Sequence, residues 1–324
     1  MIDLHMHLNG SLPAGIVIKL AKKHGVELPT YDEEELKKKI SVPIDCESLN
    51  DYLQCTKIPR LVTQTRDGIK DAVFMLLEDL RAQGFIYAEI RFAPQRHRDT
   101  GLTQEEVVLA AIEGVKESKL MAKLILCCMR GNNLEAENRE TIDIAKKYLQ
   151  SGVGGVDLAG AEAIFKTQDY RTVFEYAKNL GVPITIHAGE ADGPESVAAA
   201  IDFGAVRIGH GIRSIEDENL VKTIIREKIT LEMCPTSNFQ TRSIDSKEKY
   251  PLRKFLDMGV RVTINTDNKT ISSTDLSGEY EFAEKELGLK REERELLYRN
   301  AIEASFTNAE EKEKLYTLLN NALK

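Results

Sequence analysis

Short apolar runs recur along the chain, separated by segments with helical spacing. Eight runs read as β-strands: Ile2–His7, Phe85–Phe92, Lys123–Met129, Gly155–Ala159, Pro183–His187, Ala205–Gly209, Ile229–Cys234 and Val260–Thr266. Val107–Met121 and Arg139–Gln150 carry helical periodicity. Arg171–Asn179, Pro194–Phe203, Asp217–Glu227 and Pro251–Met258 supply shorter helices. Three of these segments close on Leu180-Gly181, Phe203-Gly204 and Met258-Gly259, just before the next apolar run. Glycine there punctuates a helix C-terminus and releases the chain into a strand. The first gap is different, because residues 8–84 hold about four helical segments before the second strand. Asp32–Lys39, an acidic block followed by a basic one, reads as a solvated helix face. The chain from Glu279 onward is helical and charge-rich. Strands alternating with helices predict an α/β fold. The expected form is a single parallel (β/α)8 TIM barrel with extra helices after the first strand, covering 1–324 as one domain. A doubly wound open sheet would place a GxGxxG turn after its first strand, and the turn here lacks one.

Strand parity then singles out chemistry. Residues two apart point to one side of a strand. Asp3, His5 and His7 therefore share a face, opposite Ile2, Leu4 and Met6. Thr185 and His187 repeat the pattern on the fifth run. Arg261, Thr263, Asn265 and Asp267 repeat it on the eighth. In a barrel the apolar parity meets the outer helices, and the polar parity points inward near the strand C-termini, where barrel active sites lie. Three imidazoles and one carboxylate form a metal-ligand set of the kind zinc takes, with room for water. Iron, manganese and cobalt remain open on ligand chemistry alone. Glu190, three residues past His187, suits a general acid held above the metal. His210, flanked by Gly209 and Gly211, suits a base or electrostatic group outside the ligand set. Asp267 is placed both to ligate the ion and to orient the attacking water.

Composition narrows the class. The charge is −8, without the basic footprint of a phosphate-backbone binder. Only six histidines are present, and four fall in the contexts just described. His24 and His97 carry no assigned role. The five cysteines form no CxxC pair and read as reduced, packed thiols. The N-terminus shows no secretory signal, and no apolar run approaches a membrane span. The expectation is a cytoplasmic enzyme working on a small molecule, without nucleic acid or membrane, and a monomer. Glu89 and Arg91 share a parity and read as an ion pair inside the barrel. Residues 48–65 read as a helix over the mouth, either a water-excluding lid or a simple cap.

The chain resembles the adenosine deaminase family of the metal-dependent amidohydrolases. The resemblance rests on His5-Met6-His7-Leu8-Asn9-Gly10-Ser11, Asp157-Leu158-Ala159-Gly160-Ala161-Glu162, His187-Ala188-Gly189-Glu190, Gly209-His210-Gly211, Cys234-Pro235-Thr236-Ser237-Asn238 and Asn265-Thr266-Asp267-Asn268, in that order. It implies one zinc ion held by His5, His7, His187 and Asp267. It implies Glu190 as proton donor to a purine ring nitrogen, His210 as partner of the attacking hydroxide, and a backbone contact from Gly160. The implied reaction is hydrolysis of adenosine, and of 2′-deoxyadenosine, to inosine and ammonia. His7, Asn9, Gly160 and Asn268 would meet the substrate. Two positions depart from the family pattern. Asn9 stands where an Asp would touch the ribose 5′-hydroxyl, and Asn268 stands where a second Asp would meet a ring nitrogen. Asn donates as well as accepts, so purine binding survives the second change. These departures motivate an alternative: an aminohydrolase for another aminopurine, such as adenine or a 5′-modified adenosine. The other zinc-deaminase plan needs an HxE and a PCxxC, and the chain has no PCxxC.

Overall fold

The computed structural model describes residues 1–43 and 46–322. The strands are β1 (Ile2–His7), β2 (Tyr87–Phe92), β3 (Met121–Met129), β4 (Val153–Ala159), β5 (Thr185–Ala188), β6 (Arg207–His210), β7 (Thr230–Met233) and β8 (Arg261–Ile264). All pairings are parallel, β1 to β4 forming one sheet and β5 to β8 another. Parallel bridges join both seams, Val156 to Ile184 and Met6 to Asp267. Backbone bonds reinforce them: Val156 N–H donates to the Pro183 carbonyl at 2.9 Å, and His7 N–H to the Asp267 carbonyl at 2.8 Å. Sequential order around both sheets is the order of a (β/α)8 barrel. A doubly wound sheet would reverse its strand order at a switch point, and this one does not.

Before β2 come α1 (Leu8–Ser11), α2 (Ala14–His24), α3 (Glu33–Ile40), α4 (Leu49–Gln54), α5 (Lys57–Leu61) and α6 (Arg66–Ala82). The first connection thus holds six helices among the described residues, against an expected four or so. Three of the six span only four to six residues, too short to display a period. Helix α3 is solvated as expected, with only Leu36 and Ile40 buried. The expected single helix over 48–65 is broken at Cys55-Thr56. Pro59 has no N–H to give the Cys55 carbonyl, so one continuous helix would lose a bond there.

The later helices are α7 (Gln104–Glu117), α8 (Glu135–Lys147), α9 (Arg171–Asn179), α10 (Pro194–Asp202), α11 (Glu218–Arg226), α12 (Pro235–Gln240), α13 (Leu252–Met258), α14 (Leu276–Glu286), α15 (Arg294–Ala304) and α16 (Ala309–Ala322). Aliphatic residues of the helices pack on the outward strand face. Ile2, Leu4 and Tyr87 meet Ile302 of α15 and Leu315 and Leu319 of α16. Gly25 and Gly259 end α2 and α13 in the left-handed conformation. No helix among the described residues is long and apolar enough to cross a membrane.

The barrel interior is polar and carries buried ion pairs. Arg91 bridges Asp157 (3.1 Å) and Glu232 (2.8 Å). Arg207 bridges Glu232 and Glu89, both at 2.6 Å. The expected Glu89–Arg91 pair is therefore corrected: both are buried ions, but each pairs across the barrel with another strand. Two residues apart on one strand, their side chains run side by side, so strands β4, β6 and β7 supply the partners. Cys127, Cys128 and Cys234 are buried free thiols, as expected.

Candidate active site

The polar residues at the strand C-termini converge on a cavity of about 370 Å3. Its wall includes His7, Asn9, Gly160, His187, Glu190, His210, Asp267 and Asn268, with Leu49, Tyr52 and Leu53 of α4 above them. His5 lies beneath, fully buried. The segment 48–65 thus covers the mouth, and Tyr52 pins it by a 2.6 Å bond between its hydroxyl and Ser272 Oγ.

His5, His7, His187 and Asp267 offer ligand atoms that all lie within 4.8 Å of one another. Their geometry fits a cation. His7 Nε2 stands 3.1 Å from His187 Nε2 and 3.3 Å from Asp267 Oδ1. His5 Nε2 lies 3.6 Å from the same oxygen and is buried without a hydrogen-bond partner. An orphaned buried nitrogen and two imidazole nitrogens in mutual contact are what a shared ion resolves. On His5 and His187 the other ring nitrogen is taken from behind. Glu232 Oε2 sits 2.8 Å from His5 Nδ1, and Asp157 Oδ2 sits 2.8 Å from His187 Nδ1. Such carboxylates fix the tautomer that leaves Nε2 free to ligate. Burial keeps His5 and His7 below their ordinary pKa, His5 at about 4, so both are neutral donors. Burial alone would lower His187, but Asp157 outweighs it and raises the ring. Burial would raise Asp157, yet His187 and Arg91 hold it well below the carboxylate range.

Parity delivers His5 and His187 as expected. Asp267 arrives by another route, which corrects the strand reading. β8 ends at Ile264, and Asn265 turns its amide to Leu4 N–H and Thr263. Asp267 then adopts φ of 58° and docks on β1. His210 is likewise left-handed, at φ 61°. A non-glycine residue held there costs roughly 1–3 kcal/mol, and such outliers gather at functional sites. Gly209 beside it is required by space, since a Cβ would lie 2.9 Å from His5 Cε1.

Glu190 is buried, its Oε2 3.6 Å from His210 Nε2. Burial raises its carboxyl above the ordinary value; Asp267 and Glu162 add to the shift, and His210 opposes it. Behind His210, Asn238 Nδ2 donates to Nδ1 at 2.9 Å, while Asn238 Oδ1 accepts from the Tyr250 hydroxyl at 3.1 Å. With Nδ1 accepting, the ring proton sits on Nε2, toward Glu190. Asp267 is oriented through both oxygens: Ser237 Oγ donates to Oδ2 at 2.6 Å, and Asn268 Nδ2 to Oδ1 at 2.7 Å. Asn268 thus spends a donor on Asp267, an engagement the sequence reading did not foresee. Asn9 Nδ2 donates to Thr63 Oγ1 at 3.0 Å. Gly160 lines the wall at φ 116°.

Several supporting residues were missed. Glu162 accepts backbone N–H bonds from Gly189 (2.7 Å), Glu190 (3.0 Å), Ala191 (2.7 Å) and Asp192 (3.2 Å), and a 2.5 Å bond from Ser196 Oγ. It holds the loop that carries Glu190. Glu232 and Asp157 back the histidines; their signal was inward parity on β7 and β4. His24 pairs with Asp71 at 2.7 Å, away from the site. His97, unassigned from sequence, is buried in the cavity wall and donates from Nδ1 to the Thr63 carbonyl at 3.0 Å.

Residues 1–322 match the family described as Adenosine deaminase. An adenosine deaminase of Haemophilus ducreyi is 47% identical over 323 residues, covering 97% of this chain and 94% of that one. Among solved structures, an adenine deaminase from Arthrobacter aurescens superposes with a TM-score of 0.86 at 27% identity, covering 99% of this chain and 98% of its own. The N6-methyl-AMP deaminase of Arabidopsis thaliana gives 0.85 at 26% identity, covering 99% and 96%.

Proposed function

The chain belongs to the adenosine deaminase family and is a hydrolytic deaminase of adenosine, and on that premise we propose how its residues divide the reaction. The observation that carries the assignment is one cavity wall holding His7, His187, Asp267, Glu190 and His210, with His5 beneath it. Three imidazoles and a carboxylate suit one zinc ion per chain. Bound there, the ion supplies the Lewis acidity that makes water nucleophilic near neutral pH.

Glu190, in its acid form, donates a proton to the purine ring nitrogen beside the amino-bearing carbon. That carbon becomes electrophilic and water oxygen adds to it; of the two protons water gives up, one goes to the amino group, which leaves as ammonia, and one restores the Glu190 carboxyl. His210 acts through Nε2–H, as an electrostatic partner of the incoming oxygen rather than as the base. Asp267 accepts a hydrogen bond from the attacking water and orients it. The Gly160 backbone, Asn268, Asn9 and His7 position the purine nucleoside. 2′-Deoxyadenosine is included, because no group named here needs the 2′-hydroxyl. We read 1–324 as one domain, working as a cytoplasmic monomer. The charge of −8 suits a small-molecule enzyme better than a nucleic-acid binder.

Metal-loaded protein mixed with adenosine is expected to release one ammonia per inosine formed, followed by ultraviolet absorbance. No ammonia from fully loaded protein would overturn the reading. Glu190→Gln is expected to lower kcat by about 10²–10⁴, the usual worth of a general acid. An action on adenine or a 5′-modified adenosine is the second reading, favoured by the names of the two solved relatives. Its support is weaker, since both are far less similar in sequence than the adenosine deaminase relative.

A further inference from the structure

The cavity has two electrostatic ends. Glu190 and Asp267 are the carboxylates of its wall, and both stand at the end formed by the histidines. The other end carries Lys57 and Arg60 of α5, and Arg96 of the short helix Pro94–Arg96. Lys57 and Arg96 are exposed and Arg60 is half-buried. Among the described residues, none of the three has a carboxylate partner or a side-chain hydrogen bond. What sets these three apart is their place: all three line one opening, whose wall on that side carries no carboxylate.

The framework that carries them is ordered. Gln64 Nε2 donates to the carbonyl oxygens of Arg60 (3.1 Å) and Arg96 (3.2 Å), tying the two short helices together. Next to it, Thr63 receives Asn9 Nδ2 on its hydroxyl and His97 Nδ1 on its carbonyl, both at 3.0 Å. Asn9 is neutral and adds no negative charge to this wall. The Arg60 charge is felt at His97, whose ring burial already lowers to about 4.

A purine nucleoside with its reacting carbon at Glu190 and His210 would have the rest of this lining, Lys57, Arg60 and Arg96 included, to receive its ribose. A free 5′-hydroxyl is neutral and brings no charge to these cations. A phosphate monoester carries about −1.5 to −2 charges at neutral pH and offers three acceptor oxygens. Guanidinium forks match those oxygens in charge and geometry.

We infer that this site also takes adenosine bearing a 5′-phosphate, with Arg60, Arg96 and Lys57 receiving the phosphate. The reaction is adenosine 5′-monophosphate plus water giving inosine 5′-monophosphate plus ammonia, and the phosphate ester is untouched. The inference rests on the deaminase reading of the same site.

Ammonia release from adenosine and from its 5′-monophosphate is compared on metal-loaded protein, at low and at high salt. Calorimetric binding of inosine and of inosine 5′-monophosphate is measured alongside. The expected result is a monophosphate kcat/KM at least equal to that of adenosine at low salt. Salt should lower it severalfold while leaving adenosine nearly unaffected. Inosine monophosphate should bind about tenfold tighter than inosine. The double variant Arg60→Ala, Arg96→Ala should bring that affinity ratio toward one; Lys57→Ala is the second variant if the pair does not fold. Adenosine turnover with inosine monophosphate binding no tighter than inosine overturns the inference and leaves the deaminase reading intact. Tight monophosphate binding without ammonia from either substrate overturns the deaminase reading instead, and keeps the phosphate site.

Discussion

Glu162 shows how much one buried carboxylate can organise. Four consecutive backbone N–H groups and one hydroxyl point at it. Each is a charge-assisted bond, stronger than its neutral counterpart. The loop they fix ends β5 and presents Glu190 to the cavity. Glu162 is spent on that loop, so we propose it as a positioning residue. Its negative charge also helps raise Glu190. The sign matters for pH. In the general-acid role we propose, Glu190 must be protonated, so activity is expected to fall as pH rises through its raised pKa. Glu162→Gln removes a neighbouring charge, so that alkaline limb should move to lower pH. We expect kcat to fall roughly tenfold or more with a smaller change in KM, because misplacing a proton donor by even an ångström weakens the transition state. A merely structural Glu162 would lower the unfolding midpoint without moving the alkaline limb, and that result would reject its role.

At the scale of elements, the site depends on how closely α1 approaches the turn after β8. A Cβ on Gly10 would lie 1.8 Å from Asn268 Oδ1 and 2.5 Å from its Cγ. Asn268 in turn donates to Asp267. Gly10→Ala must therefore push Asn268 aside and strip Asp267 of one partner. Overpacking of this kind costs about 1–3 kcal/mol, and kcat/KM should fall by about tenfold or more because the ligand carboxylate loses its orientation. Denaturant unfolding and steady-state kinetics on one preparation check both parts. Unchanged kcat/KM would show that Asn268 relaxes without consequence for Asp267. The same scale explains the broken cover over the mouth. Pro59 ends the run of helical bonds, so α4 and α5 cross the cavity as two short pieces, and α5 can aim Lys57 and Arg60 independently of Tyr52.

Across the whole molecule, a buried chain of ions runs from behind His5 and His187 to the far end of the barrel. Asp157, Arg91, Glu232, Arg207 and Glu89 pair in turn. Arg207 also donates to the Ala304 carbonyl at 3.0 Å and lies over the Phe306 ring, 3.8 Å from its centroid. It joins the strands to the α15–α16 connection. Arg207→Met leaves Glu89 and Glu232 buried with one cation fewer, which costs about 3–5 kcal/mol. The unfolding midpoint is expected to drop accordingly, and a loss below about 1 kcal/mol would show that the chain of pairs is dispensable. Much of this protein was legible in one dimension. The rhythm of apolar runs determines the strands and their alternation with helices, because a period of two and a period of 3.6 are properties of the local backbone. Parity on β1 and β5 determined that His5, His7 and His187 face inward, and the short motifs pointed to Glu190 and His210. What the tertiary structure decided is everything that needs a partner distant in sequence. It decided that Arg91 pairs with Asp157 and Glu232 rather than with Glu89. It decided that Asp267 reaches the three histidines by a left-handed turn docked on β1, and that Asn238 donates to His210 Nδ1. It also decided that Lys57, Arg60 and Arg96 share one opening. Local sequence specifies a residue's face and charge; which opposite charge it meets depends on barrel closure, which only long-range packing supplies.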